Sequence, residues 1–171
     1  EGVIVKNALY WAPRDNFDAT IALDWYEDLG WGPGLEMRYI TAPGTSGRFD
    51  GGYIDEKDGG EFWKVTYNHQ HALPNSIKGG IDLFVDVDRE YCRRFEDTLK
   101  AQSQEKATSS FSLSRTWSAY VAVLSGRYEE NLLTAQESTV SRFPELTIDR
   151  TQSRLGTSDF YWKLSFEGAY L

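Results

Sequence analysis

Residues 17–26 read FDATIALDWY, and the alternation within them decides the fold. Phe17, Ala19, Ile21, Leu23 and Trp25 occupy odd positions; Asp18, Thr20, Asp24 and Tyr26 occupy even ones. A period of two places successive side chains on opposite sides of an extended backbone, one side suited to an apolar medium and the other to a polar one. The pattern returns in segment after segment, with turn residues between, and no segment carries a helical period. The apolar sides must meet either a second sheet of the same protein or lipid.

The composition is compatible with both. The 171 residues suit one domain, 40% are hydrophobic and 15% aromatic. Mean hydropathy is −0.51, and no apolar run approaches the length of about 18 residues that a transmembrane helix needs. A barrel is not excluded by low hydropathy, because half of each strand faces a polar lumen. The net charge of −8 argues against nucleic acid and against docking on anionic lipid. The single cysteine, Cys92, cannot form an internal disulfide, and it is placed in a loop.

The spacing predicts ten strands, at 2–11, 17–28, 35–42, 46–55, 61–71, 78–88, 107–115, 118–129, 139–149 and 158–171. Turn chemistry separates them: APRDN, LGWGPG with three glycines and Pro33, APGTS, EKDGG with Asp58–Gly59, and ALPNS. Of the five prolines only Pro144 falls inside an expected strand, which predicts a bulge or a late start there. Hairpins without crossover helices predict an all-β antiparallel up-and-down meander. The odd connections are mostly short, while the even ones include the two longest, 89–106 and 130–138; the ninth, RTQSRLGTS, breaks the rule. Outer-membrane barrels segregate their loops in this way. Aromatic residues gather near segment ends (Tyr10, Trp11, Trp25, Tyr26, Trp31, Phe62, Trp63, Trp117, Tyr120, Tyr161, Trp162), as interfacial girdles would, or as strand propensity alone would.

Catalytic chemistry is hard to find. Ser109, Ser110, Ser112 and Ser114 lack a G-x-S-x-G elbow and read as a small polar stripe. His69 and His71 share a strand face, but no further His exists and the one Cys, Cys92, is placed in a separate loop, so nothing on that strand completes a metal site. Asp82, Asp86 and Asp88 suit a hydrated face better than a cation site. The expectation is a non-enzyme without cofactor or metal.

The run ALYWAPRDNFDATIALDWYEDLGWGPGLEMRYI resembles the first barrel strands of the lipopolysaccharide-assembly outer-membrane protein family, LptD. The residues that carry the resemblance are Tyr10, Trp11, Asn16, Asp18, Ala19, Thr20, Glu36, Arg38 and Tyr39, with Pro144 in a later R-x-P-E-x segment and FVDVDREYCRRF as a strand end and acidic–aromatic loop. The resemblance implies that residues 1–171 are part of a large transmembrane β-barrel, truncated at both ends and starting at about its second strand. It implies the outer membrane of a Gram-negative bacterium, insertion of lipopolysaccharide into the outer leaflet, and contact with outer-membrane lipid, a plug lipoprotein and a periplasmic bridge.

On that reading Ile21, Leu23, Leu35, Met37, Val65, Ile81, Leu83, Val85, Leu164 and Phe166 face lipid. Asp18, Thr20, Glu36, Arg38, Lys64, Thr66, Asp82, Lys163 and Glu167 face the lumen. The alternative is a soluble β-sandwich that binds carbohydrate, in which the first set would be buried between two sheets.

Overall fold

The computed structural model describes residues 2–56, 59–86, 91–95, 106–132 and 140–170. They form one antiparallel sheet of eleven strands and one short helix. In chain order these are β1 (Ile4–Val5), β2 (Ala8–Arg14), β3 (Phe17–Tyr26), β4 (Gly30–Ala42), β5 (Thr45–Glu56), β6 (Gly60–Leu73), β7 (Ile77–Asp86), α1 (Tyr91–Phe95), β8 (Lys106–Trp117), β9 (Tyr120–Asn131), β10 (Val140–Arg154) and β11 (Tyr161–Ala169). From β3 onward each strand pairs with its sequence neighbours, while β1 and β2 share the outer edge of β3. The expected meander is therefore the observed one. Among the described residues β1, β2 and β11 have one partner strand each, so the sheet is open.

Several boundaries differ from expectation. The first strand is split at Asn7, whose N–H donates to Asp24 Oδ1 (3.3 Å) instead of a backbone carbonyl. LGWGPG is mostly strand: the turn is 27–29, and Pro33 pairs with Leu23 inside β4. Its glycines make room for packing. A Cβ on Gly32 would stand 3.0 Å from the Tyr26 ring and 3.3 Å from Ile54 Cγ1. Pro13 likewise lies within β2, so Pro144 is not alone inside a strand. At Pro144 the expected bulge is present, a register shift between Arg142 and Glu145. β10 continues to Arg154 through a second shift, so the ninth connection shortens to 155–160 and the break in the loop rule largely disappears. Cys92 falls in α1, one short helix where a loop was expected. Asp58, Val87 and Asp88 lie outside the described residues.

The turns at one end are tight: 15–16, 43–44, 74–76 and 118–119. At 43–44 Pro43 is followed by Gly44 at φ 77°, the left-handed position that a type II turn requires. We call this the short-turn end. The turn 27–29, α1 and the last residues of β5, β7 and β9 lie at the other end, which we call the long-loop end.

The cross-strand register also slides steadily. The row that starts at Phe17, the first residue of β3, runs through Tyr39, Gly47, His69, Ile81 and Phe111 to Gly126, midway along β9. A stagger of one sense across successive strands is the tilt that a closing sheet needs.

Register assigns every strand residue to one of two faces. Face A holds the row Thr20, Glu36, Asp50, Thr66 and Phe84; face B holds Ile21, Leu35, Gly51, Val65 and Val85. No common core joins them. Ile54 on face A is the one large side chain left with almost no exposure (1%) among the described residues.

Candidate functional site

Face A is a polar wall built by cross-strand pairing. Arg38 Nε lies 2.8 Å from Asp18 Oδ1 and 3.5 Å from Glu36 Oε1, and Arg48 reaches Glu36 Oε2 at 3.4 Å. Lys64 pairs with Asp50 (3.2 Å), and Asn68 Nδ2 donates to Asp82 Oδ1 (2.8 Å). Farther on, Glu129 lies between Lys106 (3.6 Å) and Arg127 (3.5 Å), Arg142 meets Glu145 (3.8 Å), and Ser165 Oγ donates to Asp149. Most of these pairs have at least one exposed partner and add little stability each, but they cover the face with alternating sign.

This explains the motif of the first strands. Asp18 faces Arg38, Thr20 faces Glu36 and Tyr10 faces Thr20 on face A; Trp11 faces Ala19 and Phe17 faces Tyr39 on face B. Asn16 closes the hairpin end by donating its Nδ2 to Ile40 O (2.8 Å). Nine of the ten motif residues thus lie together on β2, β3, β4 and the turn between β2 and β3, divided between the two faces, and Pro144 on β10 does not join them.

At the long-loop end α1 folds onto face A. Phe95 packs edge-on to Tyr26 (6.5 Å) and against Phe62 and Tyr91 (5.7 and 5.5 Å). Arg94 lies over the Phe62 ring (4.8 Å) and pairs with Glu56, while Asp86 Oδ1 accepts from Tyr91 N (3.2 Å). Gly52 leaves the space that Tyr91 fills. Tyr26 and Phe62, read from sequence as girdle residues, belong to this inward cluster.

Face B is apolar and uncovered. All ten residues expected on the apolar side lie on it, and all nine expected on the polar side lie on face A. None of the ten is buried; Ile21 is 49% and Phe166 54% exposed. A sandwich would bury them under a second sheet, and the described residues form a single sheet. Aromatic residues border the apolar band. Phe17, Trp117, Tyr120 and Trp162 lie toward the short turns, and Trp25, Trp31, Trp63 and Tyr128 toward the long loops. Phe17 and Trp25 are eight residues apart, about 26 Å of strand.

Two features of face B escaped the sequence reading. Tyr39 Oη lies 2.8 Å from both Tyr67 Oη and His69 Nδ1, and the His69 ring stacks on Tyr67 (6.1 Å). His69 is thus held by tyrosine, and no metal cluster occurs among the described residues. Arg115 and Arg150 also stand on this face among aromatics. Their placement was visible in the alternation, since they continue the apolar parity of Leu113 and Ile148. Ser109 departs from the serine stripe: it faces B and bonds the Phe84 backbone, while Ser110, Ser112 and Ser114 share face A.

No described helix is long and apolar enough to cross a membrane, which says nothing of strands. The sequence model described as "LptD protein" matches residues 2–166. The LPS-assembly protein LptD of Alkalilimnicola ehrlichii is 26% identical over 150 residues, 86% of this chain and 20% of that protein. That of Pseudomonas putida strain GB-1 is 26% identical over 158 residues, 86% of this chain and 17% of that protein. That of Aliivibrio fischeri is 31% identical over 108 residues, 56% of this chain and 14% of that protein. The chain thus spans a fifth or less of the length of these relatives.

Proposed function

The chain belongs to the LptD protein family, and from that premise we propose that it is a wall segment of an outer-membrane β-barrel that assembles lipopolysaccharide into the outer leaflet. The observation that carries this reading is the pair of faces. A charged and hydroxylated face A backs onto an uncovered apolar face B bordered by aromatics, which suits a wall between a hydrated lumen and hydrocarbon. The sliding register supplies the tilt. The two free edges would pair with further strands of the parent protein, because unpaired backbone groups are not tolerated in lipid.

In this role the segment performs no covalent chemistry. Face A offers sugar hydroxyls and phosphates a row of donors and acceptors, while acyl chains remain on the side of face B. Lipopolysaccharide and outer-membrane lipid are the partners this supports directly. A plug lipoprotein and a periplasmic bridge enter by the family resemblance. The test is site-specific photocrosslinking in the full-length protein in cells. Photoreactive residues at Thr20, Glu36 and Thr66 should capture lipopolysaccharide, and capture should depend on active transport. Capture at none of them would contradict the lumen assignment.

A further inference from the structure

The two faces treat arginine differently. On face A, Arg38, Arg48, Arg127 and Arg142 each reach a carboxylate at 2.8–3.8 Å. On face B, Arg14, Arg115 and Arg150 reach none among the described residues. All three lie at the short-turn rim. Arg14 ends β2, Arg115 is close to the end of β8, and Arg150 pairs with Tyr120, the first residue of β9. The strand carboxylates of face B, Asp55, Glu61 and Glu130, lie at the opposite rim. Asp159, in the adjoining turn, is taken by Arg154.

What the rim arginines touch is aromatic. The Arg150 guanidinium lies 3.6 Å from the centre of the Trp162 ring and 5.6 Å from that of Tyr120. Arg115 lies 5.9 Å over Trp117, which stacks on Tyr120 at 5.8 Å. Arg150 donates to Ser153 Oγ, and its Nε is buried without a hydrogen-bond partner. A guanidinium does not shed its charge, so a cation here calls for an anion from outside the chain. Tryptophan and tyrosine prefer the depth of lipid headgroups, and arginine matches phosphate with two parallel hydrogen bonds.

We infer that the short-turn rim of face B binds the phosphate of an anionic phospholipid headgroup, with Arg115 and Arg150 supplying charge and Trp117, Tyr120 and Trp162 seating it. This rests on the reading of face B as the lipid side, and it corrects the expectation drawn from the net charge of −8: Arg115 and Arg150 form a local cationic strip whatever the chain's total charge. The experiment reconstitutes the full-length protein in vesicles of equal parts phosphatidylglycerol and phosphatidylcholine, then measures both lipids retained after detergent extraction by native mass spectrometry. The wild type should retain phosphatidylglycerol preferentially. R115Q/R150Q should lower that preference about thirtyfold, given roughly 1 kcal/mol for each of the two arginines near a charged headgroup. R115K/R150K should keep much of it, and the face A pair R127Q/R142Q should keep all of it. Excess inorganic phosphate should not displace the lipid; displacement would make this a free-phosphate site and overturn the assignment. Equal retention of both lipids by the wild type would overturn the rim site alone, even if R115Q/R150Q failed to fold. A wild type that retains neither lipid would overturn the lipid-facing reading as well.

Discussion

Asp18 and Arg38 face each other across β3 and β4, with Oδ1 and Nε 2.8 Å apart, and the pair lies on face A of both strands. Its value is positional. The Arg38 side chain is 51% exposed, so solvent screens the attraction. Asp18→Asn should therefore cost no more than about 1 kcal/mol in chemical unfolding of the reconstituted full-length protein. A loss of several kcal/mol would show that face A is drier than a hydrated wall can be.

Substitutions one residue apart should differ sharply. Leu83 lies on face B and Asp82 on face A. Leu83→Arg should cost about 2–4 kcal/mol in lipid if it sits near the bilayer midplane, because a charge replaces an apolar group against hydrocarbon. Asp82→Arg should cost far less, since it only alters a solvated pair with Asn68. Folding yield into vesicles reads both, and equal damage would mean the two faces see the same solvent.

The inward cluster at the long-loop end should behave as ordinary protein interior. Ile54 is 1% exposed, and Ile54→Ala should destabilise by about 2–5 kcal/mol whatever surrounds the sheet. Its effect should be similar in detergent and in lipid, measured by thermal unfolding. A cost under about 1 kcal/mol would place α1 off face A.

Gly126 provides a packing test on face B. A Cβ there would meet the Phe111 and Phe143 rings at 2.3 and 2.5 Å, and those rings pack edge-on at 5.4 Å. Gly126→Ala should cost about 1–3 kcal/mol, and Phe111→Leu should relieve part of it in the double variant. Strict additivity in a double-mutant cycle would refute the clamp.

The two-faced sheet was legible because alternation is a local signal: Ile21, Leu83 and Phe166 declare their side within a few residues. What misled was punctuation. Gly32 and Pro33 read as a turn, yet the glycine is there to admit Tyr26 and Ile54 against face A, a contact made across three strands. Tyr26 and Phe62 read as girdle residues because nothing local says that Phe95, more than thirty residues on in sequence from Phe62, returns to cover them. The Tyr39–Tyr67–His69 group and the Arg115–Arg150 strip combine side chains from separate hairpins, so only the register reveals them. The motif residues other than Pro144, by contrast, sit on or between the consecutive strands β2, β3 and β4, and two hairpin registers were enough to assemble them.

The central claim is that face B meets lipid while face A meets water. The most direct measurement is a nitroxide scan of β7, residues Ile77–Asp86, in the full-length protein in a bilayer, comparing collisions with oxygen and with a water-soluble nickel chelate. Labels at Ile81, Leu83 and Val85 should favour oxygen, and labels at Gly80, Asp82 and Phe84 should favour nickel, in strict alternation. An absence of alternation, or nickel access equal on both faces, would contradict the account.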